Sequence, residues 1–261
     1  QQRNNVFSKH IDIEVKNTNQ KNSGRCWIFA FLNLLRLDMI KKYKLEETFE
    51  FSQNYLFFWD KLEKSNFFIY NIINTKKYSV ESREVKHLLS EPVSDGGQWN
   101  MLTNLVNKYG VIPKTLMNET FGSCNSEELS FVLNNKLRSI AFDIRNRRVT
   151  KKDINEYLGD IYKILVLFLG EPPKKITWEY YSLKDKKKKY HIVKDISPKI
   201  FYEKYVPYNI NDMVCLVNAP CKSKPFYNLF NLKNCGNVIE GVNTNFINIP
   251  IHEMIRIAKK S

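Results

Sequence analysis

The chain has 261 residues, of which 43% are hydrophobic and 26% charged, and its 41 Lys and Arg against 27 Asp and Glu leave a formal net charge of +14. This mix is enough to bury a substantial core and argues against a disordered or low-complexity protein. No apolar run reaches the ~18 residues of a membrane-crossing helix, and five scattered cysteines with no Cys-x-x-Cys pair argue against a zinc site or a disulfide framework.

Those cysteines, Cys26, Cys124, Cys215, Cys221 and Cys235, point to a reducing, cytoplasmic setting, and neither metal nor cofactor is expected. The first residue is Gln and nothing near it looks like a signal peptide, so the numbering is expected to start inside a longer product. The basic excess reads as solvated lysine in a chain rich in Lys, Asn, Ile and Tyr, because no nucleic-acid motif accompanies it. Weak nucleic-acid binding through Arg145, Arg147, Arg148, Lys151, Lys152 and the lysine run at 186–189 is the alternative.

In chain order, residues 1–18 suggest a short extended arm around Val6, Phe7, Ile11, Ile13 and Val15, and 17–25 form a polar loop. Residues 26–42 are apolar on almost every face, which predicts a helix buried through the middle of a domain. Ser52 is a natural N-cap for a second, aromatic-rich helix over 52–68. Pro92, Gly96 and Gly97 break the polar stretch that follows. A third helix over 98–109 is stopped by Gly110 and Pro113. Residues 127–147 and 151–169 predict a helical pair ended by Gly170-Glu-Pro-Pro173. Segments 176–181, 190–193 and 214–217 are then rich in strand formers, the first two joined by a lysine-rich tip at 184–189. A last amphipathic helix begins at Ile251.

The chemistry concentrates in Gln20-Lys-Asn-Ser-Gly-Arg-Cys26-Trp27. Ser23 as N-cap places Cys26 in the first helical turn, where unpaired N–H groups and the macrodipole favour a thiolate; Arg25 adds a neighbouring cation. Backbone N–H groups there, together with the Gln20 side-chain amide, can donate to an oxyanion.

Gly24-Arg25-Cys26-Trp27 resembles the core around the papain nucleophile. The longer stretch from Thr18 to Phe29 is similar to the bleomycin hydrolase/aminopeptidase C branch of papain-like cysteine peptidases in particular. Further blocks match in the same order: Phe51-Ser-Gln-Asn-Tyr-Leu-Phe-Phe-Trp-Asp-Lys61, Asp95-Gly-Gly-Gln-Trp99, Lys108-Tyr-Gly-Val-Ile-Pro-Lys114, Leu133-Asn-Asn-Lys-Leu-Arg138, Thr177-Trp-Glu-Tyr180 and Val214-Cys-Leu-Val-Asn218. The resemblance implies a papain-like α+β fold. It would comprise a helical half over 1–115, a helical insertion over 116–172 and the start of the β-rich half over 173–261. It further implies Cys26 as nucleophile, Gln20 as oxyanion-hole donor, Gly24, Trp27, Gly96 and Gly97 as substrate-binding residues, and aminopeptidase activity on peptides. A hexameric homo-oligomer is the assembly it implies.

A thiol nucleophile needs a base and a group that orients it. Of the four histidines, His10 lies in the arm, His87 in a helical stretch and His252 in the final helix. His191 stands at a family-like distance from Cys26 but beside the lysine tip, and it is read as a hairpin residue. The resemblance implies a fragment whose catalytic His and Asn lie beyond Ser261; a degenerate, non-catalytic homologue is the rival expectation.

Overall fold

The computed structural model describes residues 13–184, 187–232 and 235–260. The expectations for Val6, Phe7, Ile11 and His10, and for the middle of the lysine tip, lie outside them. The helical part comprises α1 (Cys26–Tyr43), α2 (Gln53–Asn74), α3 (Arg83–Ser90), α4 (Trp99–Tyr109), α5 (Phe121–Cys124), α6 (Ser126–Asn146) and α7 (Lys151–Leu169). After it come the hairpin β1 (Ile176–Lys184) and β2 (Lys187–Ile196), α8 (Pro198–Tyr205), the strands β3 (Leu216–Val217), β4 (Leu229–Asn231) and β5 (Asn245–Asn248), and α9 (Ile251–Lys260).

The helix at the centre is α2. Ser52 caps it, its hydroxyl accepting from the Tyr55 N–H at 3.0 Å, and residues 51–58 are all buried. Packing against α1, α3, α4, α6 and α7 accounts for the burial. The expectation that α1 fills this role is corrected: Ile28, Leu32, Leu35 and Met39 are buried, but Leu34 is 43% exposed and one face meets solvent. One apolar cluster runs from α1 and α2 through α4, α6 and α7 to Trp178 and Phe201.

The two ends of α1 meet different parts of the molecule. At its C-terminus Tyr43 is edge-on to Trp178 and Tyr180 of β1, with ring centroids 5.2 and 5.6 Å apart, and its hydroxyl donates to the Tyr205 carbonyl at 2.9 Å. β1 and β2 pair antiparallel, with Tyr180 opposite His191. In the second sheet β5 lies between β3, which runs parallel to it, and antiparallel β4. The strand expected from Val214 begins at Leu216, and α8, β4 and β5 were not legible in the pattern of residues. Among the described residues no helix is long and apolar enough to cross a membrane.

Candidate active site

Cys26 is the first residue of α1, exposed and free of any disulfide. It stands where backbone N–H groups have no partner within the helix. The N-cap is Arg25, whose carbonyl accepts from the N–H groups of Ile28 and Phe29 at 3.0 and 3.1 Å. The expected Ser23 cap is corrected. The Ser23 hydroxyl donates to the Gln20 carbonyl at 2.6 Å and accepts from Arg25 Nε at 2.8 Å, which folds the loop onto itself and leaves nothing for the helix start.

Arg25 also differs from expectation. Its side chain is fully buried, with Nη2 2.8 Å from Glu119 Oε2 and Nη1 donating to Glu119 Oε1 at 3.1 Å. The guanidinium sits over the rings of Phe29 and Phe57 at 5.2 and 5.0 Å. A carboxylate therefore offsets the cation, and Arg25 anchors the head of α1 to the segment before α5.

Gln20 is half-buried, its Oε1 buried without a partner and its Nε2 donating to no described residue. The loop carrying it is held in place next door: Asn22 N–H donates to the Cys124 carbonyl at 2.9 Å and Ser126 N–H to the Asn22 carbonyl at 3.2 Å.

Facing the head of α1 is the 94–97 segment. A Cβ on Gly97 would lie 2.6 Å from the Trp27 ring, so only glycine lets the backbone rest on the indole. Gly96 is exposed, and a Cβ there would meet nothing within 4 Å. Trp27 Nε1 donates to the Asp95 carbonyl at 2.8 Å, and Gly24 N–H to Asp95 Oδ2 at 3.0 Å. Gly24 is itself a close approach, since a Cβ on it would lie 2.7 Å from that of Asp95. The structure thus brings Gly24, Trp27 and Gly97 into one packed unit next to Cys26.

Two lysines of α2 support this unit from behind. Lys61 is fully buried with Nζ 2.5 Å from Asp95 Oδ1, and Lys64 Nζ donates to the carbonyls of Ser94 at 2.9 Å and Gly96 at 2.6 Å while pairing with buried Asp60 at 2.7 Å. Burial by itself would raise the Asp95 carboxyl, but the Lys61 ammonium, the Ser126 hydroxyl and the Gly24 N–H outweigh it and hold it down to about 2. Burial pushes the Lys61 ammonium down against the pull of Asp95, and pushes the Asp60 carboxyl up. Asp60, Lys61, Lys64 and Glu119 received no role in reading the sequence. The signal for the lysines was their position three apart within an aromatic, buried helix.

None of the described histidines is hydrogen-bonded to Cys26. His191 stacks on Tyr180 at 4.7 Å and its Nε2 is 2.8 Å from Ser182 Oγ, on the hairpin that packs against Tyr43. Cys26 and Tyr43 are the two ends of α1, about 26 Å apart at 1.5 Å per residue, so His191 serves the wrong end of the helix. His87 and His252 are exposed on α3 and α9. Of the cations considered for nucleic acid, Arg147 is paired with Asp143 and Asp153, and Arg145 donates to the carbonyls of Thr75 and Tyr78.

The sequence model of the Peptidase C1-like family matches residues 1–261. The chain is 43% identical to aminopeptidase C of Listeria monocytogenes over 257 residues, covering 97% of this chain and 57% of that protein. It is 40% identical to bleomycin hydrolase of Gallus gallus over 268 residues, covering 98% and 58%. A crystal structure of pepw from Lactobacillus rhamnosis, determined as the selenomethionine derivative, superposes with a TM-score of 0.91 at 40% identity, over 98% of this chain and 58% of that one. The chain thus spans little more than half the length of these relatives. With the motifs, the α+β architecture and this likeness in agreement, the chain belongs to the Peptidase C1-like family and has its papain-like fold.

Proposed function

We propose that this chain is the nucleophile-bearing part of a cysteine aminopeptidase of the bleomycin hydrolase type, acting on peptide amino termini through Cys26. The observation that carries the reading is one juxtaposition. An exposed thiol at the head of a helix adjoins a glycine wall fixed on Trp27, and the loop that leads into that helix carries Gln20. Relatives named aminopeptidase C and bleomycin hydrolase support it.

In the proposed reaction the Cys26 thiolate attacks the scissile carbonyl carbon, an S–C bond forms, and the carbonyl electron pair moves onto oxygen. The Gln20 Nε2 and the Cys26 backbone N–H are the proposed donors to that oxyanion. Collapse expels the amine, which takes up the proton removed from the thiol. Water then cleaves the thioester and restores Cys26. Gly96 and Gly97 present main-chain groups to an extended substrate without an intervening side chain. The base is assigned to none of His87, His191 and His252, which are not hydrogen-bonded to Cys26. A homo-oligomer, hexameric by family resemblance, and a cytoplasmic setting belong to the same proposal.

The test is hydrolysis of leucyl-aminomethylcoumarin against its N-acetylated form. Turnover of the free-amino substrate that is abolished in Cys26→Ala supports the reading; turnover that survives the substitution contradicts it.

A further inference from the structure

The residue that the structure places on both sides of the nucleophile is Asp95. Its carboxylate Oδ2 accepts from the Gly24 N–H, two residues before Cys26, and from the Ser126 hydroxyl. Its carbonyl accepts from the indole of Trp27, one residue after Cys26. Its other carboxylate oxygen meets Lys61 at 2.5 Å and Ser130 Oγ at 3.3 Å. The peptide units flanking Asp95 are fixed independently, because Lys64 grips the carbonyls of Ser94 and Gly96.

We infer that Asp95 is a positioning residue for the Cys26 thiol, bracing the nucleophile turn through Gly24 and Trp27 while the buried cations of α2 hold Asp95 itself in register. The inference rests on the reading of Cys26 as nucleophile. Its physical basis is that no described residue anchors the Cys26 side chain. A nucleophile at a loop–helix junction keeps its reacting geometry only if the residues around it are locked, and a misplacement of about 1 Å can slow reaction by ~100-fold. Glycine at 24 has no side chain through which to be held, so the N–H donated to Asp95 is the hold. The carboxylate also has more acceptor capacity than one N–H needs, and Ser126, Ser130 and Lys61 occupy the remainder. Every lone-pair direction is thereby committed and the brace cannot rotate freely.

The test uses two cysteines of the same protein. Cys26 and Cys221 are both exposed, so their alkylation rates by a peptidyl chloromethyl ketone, read by peptide mass spectrometry in one tube, give an internal ratio. If wild-type protein shows no preference for Cys26, the peptidase reading fails before the brace is addressed. If the preference is present, Asp95→Ala combined with Lys61→Met removes the acceptor without leaving a buried charge unpaired. The expected result is a fall in the Cys26-to-Cys221 ratio of about tenfold or more, on the scale of a misplaced nucleophile. Asp95→Asn with Lys61→Met restores an acceptor for the Gly24 N–H and is expected to recover most of the ratio at a similar melting temperature, which a merely structural role would not do. Trp27→Phe removes only the indole donor on the other side and gives a second reading should the alanine variant not fold. Wild-type ratios in both Asp95→Ala/Lys61→Met and Trp27→Phe, or in Trp27→Phe alone if the former does not fold, overturn the inference.

Discussion

The indole of Trp27 lies directly under the backbone of Gly97, so close that a methyl group at 97 would sit 2.6 Å from two of its ring carbons. Gly96, one residue earlier, opens onto empty space. The pair therefore separates two functions that the sequence presents as one Gly-Gly dipeptide. Gly97→Ala is expected to destabilise the fold by about 1–3 kcal/mol, the usual cost of overpacking, and to slow alkylation of Cys26 by displacing its neighbour Trp27. Gly96→Ala is expected to leave stability unchanged and to weaken binding of a peptidyl electrophile. Urea denaturation and the saturation constant for alkylation separate the two.

Glu119 neutralises a guanidinium that has no access to water. Removing it in Glu119→Ala strands Arg25 as a buried, unpaired cation, with an expected loss of about 3–5 kcal/mol. Replacing both partners by apolar residues of similar volume is expected to recover most of that loss. Urea titration of the two variants and wild type measures both.

The helical half was legible because its signals are local: Ser52 as cap, Gly110 and Gly170 as stops, and apolar residues at helical spacing. Of the short strands, only β3 was signalled, by the strand formers over 214–217. β3, β4 and β5 are two to four residues long and owe their existence to pairing across distant segments, as when Leu216 and Leu229 both align with Ile247. Around the nucleophile, local chemistry pointed to Cys26 and Gln20, whereas Gly24, Trp27, Gly96 and Gly97 came from the family resemblance alone. The supporting charges were invisible for a different reason. Arg25, Lys61 and Lys64 look like surface cations in a chain of net charge +14, and only their burial against Glu119, Asp95 and Asp60 shows otherwise. Ser23 had the right chemistry for a cap but sits one turn of loop too early, and Gln20 and Arg25 use it instead.

The Asp95 carboxyl, ordinarily near 3.8, is held at about 2 in the folded protein. A folded value below the unfolded one adds stability at neutral pH that persists down to about pH 4 and is lost as pH falls toward about 2. The expected loss is about 2 kcal/mol across that window. Asp60, whose carboxyl is raised by burial, acts in the opposite sense, so the measurement is a difference. The stability gap between wild type and Asp95→Asn/Lys61→Met is expected to narrow between pH 4 and pH 2 in urea titrations. A constant gap over that range would show that Asp95 is not the group responsible.

His191 belongs to the aromatic stack at the Tyr43 end of α1. His191→Ala is accordingly expected to leave Cys26 alkylation and its pH profile unchanged, with only a modest drop in melting temperature from the lost contacts with Tyr180 and Ser182. A shifted pH profile for Cys26 in that variant would reinstate His191 as its base.

The most direct measurement compares two electrophiles on the native protein. Cys26 and Cys221 are both exposed, and the Cys221 thiol is drawn down in pKa by its hydrogen bond with Ser223, which makes it a fair competitor on thiol chemistry alone. Iodoacetamide tests that chemistry, whereas a peptidyl chloromethyl ketone with a free amino terminus also tests recognition by the cleft. The expected result is that the peptidyl reagent shifts modification strongly toward Cys26 relative to iodoacetamide, and that an excess of free-amino peptide suppresses the shift. The same Cys26-to-Cys221 ratio with both reagents would contradict the assignment of Cys26 as the nucleophile of a peptide-binding cleft.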